Sequence, residues 1–204
     1  WVSYKSLASP VSMDVHNAYG NHGRKTMEGD ENLRPYIDTQ VEKGKLTTKT
    51  KKSGNLKSNY KMTVSVSMTK INSLQQSGSG NIDGSGAFTS DGKTDIGVSG
   101  SGNLKLDFDS FKDLDLSVAG SGNVDLKSGN TNTLNAKISG SGNIDCSTVS
   151  SKDVDARISG RGNIKVLASN SIDAKISGSG NVFYKGGAQN ISSKVVGSGK
   201  VMKM

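Results

Sequence analysis

The sequence predicts an all-β solenoid, and three observations carry that prediction. The first is a recurring pentapeptide. "SGSGN" stands at 77–81, 99–103, 139–143 and 177–181, with "AGSGN" at 119–123 and "SGRGN" at 159–163. The leading glycines of the motif are Gly78, Gly100, Gly120, Gly140, Gly160, Gly178 and Gly197, spaced by 22, 20, 20, 20, 18 and 19 residues. A fixed period near this length marks stacked repeats. The second observation is strict alternation of apolar and polar residues after each motif, the signature of strands with one buried face. The third is a low apolar content, 32% hydrophobic and 5% aromatic. That suits a thin aliphatic filament reused coil after coil better than an ordinary globular core.

Residues 139–158, "SGSGNIDCSTVSSKDVDARI", show how one unit reads. The glycine turn is followed by "NIDC", with Ile144 and Cys146 inward and Asp145 outward. "STVSSK" reads as a polar turn, and "DVDARI" alternates again, with Val154, Ala156 and Ile158 inward. No helical periodicity intervenes. Stacked at the strand spacing of about 4.8 Å, equivalent residues form columns. One predicted inward column is Ile82, Leu104, Val124, Ile144, Ile164, Val182 and Val201. A second is Ile96, Leu116, Ala136, Ala156 and Ala174, and a third is Val98, Val118, Ile138, Ile158, Ile176 and Val195. Cys146 falls in the column of Leu106, Leu126 and Val166, a place for a small buried hydrophobe.

The glycines fit corners that need positive φ or close approach of backbones. Serine hydroxyls are expected to satisfy backbone groups there. Asn81, Asn103, Asn123, Asn143, Asn163 and Asn181 align in a column whose amides are expected to bond along a ladder. A phosphate-binding loop would lead into a helix, whereas a strand follows every motif here. Calcium-binding nonapeptide repeats have a different period. No cofactor, metal site or catalytic constellation is therefore expected, and His16 and His22 have no partner cluster in sequence.

Residues 1–70 lack the motif yet still alternate at Val11, Met13 and Val15 and at Met62, Val64, Val66 and Met68. Turn signals stand at 20–23 and 42–44, and Pro35 excludes a central strand around it. This segment is expected to form the first coils or a cap of one domain whose repeats occupy 71–204. The net charge is +8, and residues 1–70 carry 12 Lys/Arg against 6 Asp/Glu. No basic run exceeds two residues and no aromatic set lies among the cations, so nucleic acid is not an expected partner. One cysteine excludes an internal disulfide. No apolar stretch approaches the length of a membrane span. The chain opens at Trp1 rather than Met, and removal of an upstream segment is expected.

"GDENLRPYI" at 29–37, "VEKGKL" at 41–46 and the tandem "SGSGNI" units together resemble the GIN-domain family of autotransporter-adhesin heads found in Bacteroidota, over about residues 5–203. The resemblance implies a right-handed parallel β-helix and export to the periplasm or cell surface, outer-membrane associated. Family members carry labels such as adhesin, lipid-binding protein or pectinase-like protein. No catalytic residues are carried over.

The expected function is a non-enzymatic binding or adhesion module whose rigid face meets an extended glycan or an envelope or surface protein. Its open ends are expected to permit homo-oligomers. The alternatives are a polysaccharide-active β-helix enzyme and a lipid-binding envelope protein. For an enzyme the outward Asp95, Asp115, Asp155 and Asp173 would be the starting point, but an outward charge column is ordinarily a solvated face. The candidate contact is a basic stripe of Lys137, Arg157, Lys175 and Lys194, which occupy one outward position in four successive units after Gly97 and Ser117. Cross-strand pairing with Asn135, Asp155 and Asp173 would offset its field.

Overall fold

The computed structural model describes residues 6–9, 14–19, 25–28, 37–42, 45–50, 63–86 and 88–204. The expectations for Val11, Met13, Met62, His22, Pro35 and the turn at 20–23 lie outside these residues. The described chain is a β-solenoid of about six stacked coils. One side of the stack runs through the parallel strands Ser73–Gly78, Lys93–Gly100, Asp113–Gly120 and Asn130–Gly140. It continues through the C-terminal halves of Asn143–Gly160 and Asn163–Gly178 to Asn190–Val196. A second side runs through Asn81–Ser85, Asn103–Leu106 and Asn123–Leu126 to the N-terminal halves of those long strands, then to Asn181–Lys185 and Lys200–Lys203.

The register is the one the motif dictates. Gly100, Gly120, Gly140 and Gly160 lie over one another, as do Leu104, Val124, Ile144 and Ile164. The predicted inward columns are buried from Ile82 to Val182, and Cys146 is buried among them. Val195 keeps its register with Ile176 but is 38% exposed, because no coil covers it.

The glycines answer to geometry. Gly140 has φ +129°, and a Cβ on it would lie 2.3 Å from the Gly120 carbonyl oxygen. Gly142 has no positive φ, yet a Cβ there would lie 2.1 Å from the Gly122 carbonyl oxygen. The corners thus need two glycines for two reasons, backbone conformation at one and inter-coil clearance at both. The corner carbonyls accept from backbone donors: Gly120 O accepts from Ser141 N at 2.8 Å and from Gly142 N at 3.1 Å.

The segment 147–152 is not the simple polar turn its composition suggests. It lies within the strand Asn143–Gly160, with Val149 and Ser151 buried and Ser150 and Ser151 paired to Leu167 and Ala168. It forms a short third side, and its register shifts between Cys146 and Ser150 and between Ser151 and Asp153 admit the two bends. In the earlier coils, Phe88 and Phe108 pair across rungs with ring centroids 5.8 Å apart, and Phe108 and Phe111 lie 4.3 Å apart. All three aromatics are buried in the core there.

At the N-terminal end, Ser6–Ser9 pairs in parallel with both Ser73–Gly78 and Lys45–Thr50, and Asp14–Tyr19 with both Asn81–Ser85 and Thr63–Met68. Beyond them, Ile37–Glu42 and Lys25–Glu28 pair antiparallel to Lys45–Thr50 and Thr63–Met68. The chain's first strands are therefore sandwiched between later ones, and the outermost strands described there reverse direction.

Candidate functional site

Three outward columns run side by side along the first face. Asp95, Asp115, Asn135, Asp155 and Asp173 form a mainly acidic column. Two residues on, the register places Lys137, Arg157, Lys175 and Lys194 on successive rungs. Next come Ser99, Ala119, Ser139, Ser159, Ser177 and Val196. The period-2 pleat sends all three columns to one side, while the alternate residues fill the core.

The four cations border a shallow groove of about 450 Å³, whose lining also includes Ser139, Ser159 and Ser177. Two of the four are paired, and along the strand rather than across it. Arg157 donates from Nε to Asp155 Oδ1 at 2.8 Å and from Nη2 to Oδ2 at 2.7 Å, and Lys175 Nζ donates to Asp173 Oδ2 at 2.6 Å. The anticipated cross-strand pairing thus gives way to an i, i+2 contact on the same outward face. Lys137 and Lys194 stand outside the ion pairs found among the described residues. Both paired cations stay about half exposed, so a ligand anion can compete for them. Exposed pairs of this kind contribute only about 0–1 kcal/mol.

Burial works against the charge on Asp115, but hydrogen bonds from Lys93 and Asn135 and the charges of Lys93 and Lys137 outweigh it and lower the pKa. A second, wider groove of about 730 Å³ is lined by Asp153, Asp155, Asp173, Gln189 and Asn190, among others. Asp153, which sequence reasoning passed over, accepts from Ser171 Oγ at 2.5 Å and Asn170 Nδ2 at 2.6 Å, and these bonds lower its pKa. Its signal was available: it heads the alternating "DVDARI" strand, one column before Asp155. Among the described residues, no three His, Cys, Asp or Glu side chains gather as a metal site. Burial pushes the Cys146 thiol well above its ordinary pKa, with the charges of Asp145 and Asp125 adding to the shift. It remains a protonated core residue, not a nucleophile.

The Asn column forms a ladder. Asn103 donates to Asn81 at 2.9 Å, Asn123 to Asn103 at 2.7 Å, Asn143 to Asn123 at 2.9 Å, Asn163 to Asn143 at 3.1 Å and Asn181 to Asn163 at 3.1 Å. Every interior amide is donor and acceptor at once, which commits the column to architecture.

A family profile described as "Putative auto-transporter adhesin, head GIN domain" matches residues 3–188. The chain belongs to this GIN-domain family. No curated protein matches it. Among solved structures, it is similar to "a putative adhesin" from Bacteroides fragilis at 22% identity and a TM-score of 0.87, covering 99% of this chain and 93% of that one. It is similar to "a putative adhesin" from Parabacteroides merdae at 24% identity and 0.77, covering 99% and 92%. It is also similar to a "Putative lipid binding protein" from Parabacteroides distasonis at 24% identity and 0.75, covering 99% and 93%. At these identities the likeness carries the fold.

Proposed function

We propose that this GIN domain is a non-enzymatic, exported binding module of the cell surface or periplasm that engages an extended anionic glycan along the groove of Lys137, Arg157, Lys175 and Lys194. The observation that supports this reading is the groove itself, which brings four cations on successive rungs beside a row of serine hydroxyls. At the rung spacing the stripe is about 15 Å long. A polymer with repeating charges can meet several cations at once, each contact individually weak, and the hydroxyls supply hydrogen bonds to sugar oxygens. Binding of this kind weakens with salt.

An anionic lipid is the second reading, favoured by the apolar Val118, Ile138, Ile158 and Ile176 that line the groove beside the cations. A parent and a Lys137→Glu/Arg157→Glu/Lys175→Glu/Lys194→Glu variant are compared on heparin, pectate and anionic liposomes at low and moderate salt. The glycan reading expects the parent to retain heparin or pectate at low salt and the variant to lose it. Retention on liposomes alone gives the groove to lipid, and unchanged binding by the variant removes the stripe. A reducing-sugar assay on the same polysaccharides tests the enzyme alternative, with release of sugar ends overturning the non-enzymatic reading.

A further inference from the structure

Two outward columns that are polar along most of the solenoid turn apolar at its C-terminal end. On the second face the outward position reads Asp83, Lys105, Asp125, Asp145 and Lys165, then Phe183 and Met202. On the first face the serine column ends in Val196, which is 62% exposed. Among the described residues every exposed large hydrophobic lies here: Ile191, Val195, Val196 and Met204. The same coil presents open strand edges. Among the described residues, Asn190–Val196 pairs only with the strand below it, and so does Lys200–Lys203. An exposed edge with apolar rungs is a template for another strand.

Charge selects the occupant. Residues 174–204 hold no Asp or Glu, and with Lys175 paired to Asp173, Lys185, Lys194, Lys200 and Lys203 remain. Two copies meeting end to end would oppose four lysines with four lysines. We propose that this edge is a docking site for an extended acidic segment of a partner protein, which adds to Asn190–Val196 as a further strand. Main-chain hydrogen bonds supply the affinity of such strand addition, and alternate side chains supply the choice of partner. Carboxylates on one side of the added strand would meet the lysine collar, and its apolar residues would cover Ile191 and Val195.

The full chain is titrated with a synthetic peptide of alternating valine and glutamate, matched in length to Asn190–Val196, and its backbone amide NMR signals are followed. The expected result is saturable binding that shifts the signals of 190–203. A Val196→Asp/Lys200→Glu variant, altered only at exposed side chains, should bind about tenfold more weakly with its melting temperature unchanged. Methylation of alternate peptide nitrogens should abolish binding. Equal binding by a valine–lysine peptide or by the methylated peptide overturns the proposal, as does no binding at all. Sedimentation that shows the parent dimerising without peptide, and the variant monomeric, gives the edge to a second copy instead.

Discussion

The coil built from Asn143–Gly160 and the one built from Asn190–Lys203 use the same columns and differ in what lies above them. Val154 and Ile158 are buried, while Ile191 and Val195, their equivalents at the end, are exposed. Inward direction is set by the strand pleat, but burial is completed by the next coil. In a solenoid each rung is therefore half stabilised by its own strand and half by its neighbours, so one substitution should cost different amounts at different rungs.

The largest contrast is expected from a buried charge. Ile144→Asp places an unpaired carboxylate between two coils and should cost more than about 4 kcal/mol, enough to unfold the domain at ordinary temperature. Val201→Asp, in the same column but only half-buried, should cost about 1 kcal/mol or less. Thermal denaturation by circular dichroism compares them, and equal losses would contradict a core that depends on its neighbours.

Glycine gives the next contrast. A Cβ at Gly162 would stand 2.0 Å from the Gly142 carbonyl oxygen, in a residue whose backbone N is bonded to Gly120 O at 3.1 Å. Gly162→Ala should cost about 2–3 kcal/mol. At Gly187 a Cβ meets nothing within 4 Å, and Gly187→Ala should stay within about 0.5 kcal/mol of the parent. Urea denaturation of the two variants separates architectural glycines from incidental ones, and matching midpoints would show that the corner can open.

Much of this was legible because the repeat writes its own register. A recurring Gly-Ser-Gly-Asn fixes which residues stack, so the aliphatic columns, the Asn ladder and the place of Cys146 follow from counting. What the period does not encode was harder to read. Gln76 sits at the Val98 position, buried, with its Nε2 donating to Gly80 O at 3.0 Å and its Oε1 without a partner. The alternation there looks polar, yet the backbone turns the side chain inward. Val149 and Ser151 form the third side because bends at the register shifts turn them to the core, a feature that composition alone disguises as a turn. The basic stripe was visible as a column, but its pairing was not. The i, i+2 contacts of Arg157 and Lys175 need rotamers that lie along the strand, and sequence does not set rotamers.

The smallest expected effect is acid sensitivity, and it too divides the two regions. Asp115, Asp145 and Asp153 all have lowered pKa values. At Asp145 burial opposes the charge, but donation from the Ser147 hydroxyl and backbone N–H and from Lys165 prevails. A carboxylate whose pKa is lower folded than unfolded contributes stability that is complete above the unfolded value, about 3.9. That contribution is lost as the pH falls through the lower folded value. The three carboxylates lie in coils between 113 and 171, and the C-terminal coil has none. Acidification from about pH 6 to about pH 3 should therefore lower the melting temperature of the parent. An Asp115→Asn/Asp145→Asn/Asp153→Asn variant should show a smaller drop. General charge repulsion at low pH acts on both proteins, so the difference between their slopes isolates the three groups. Amide exchange locates the effect: protection of amides in 113–171 should fall with pH more in the parent than in the variant, while that of 190–203 should fall equally in both. Parallel pH slopes for the two proteins would mean that these hydrogen bonds are as strong in the unfolded chain, and that the middle coils owe their stability to burial and corner geometry alone.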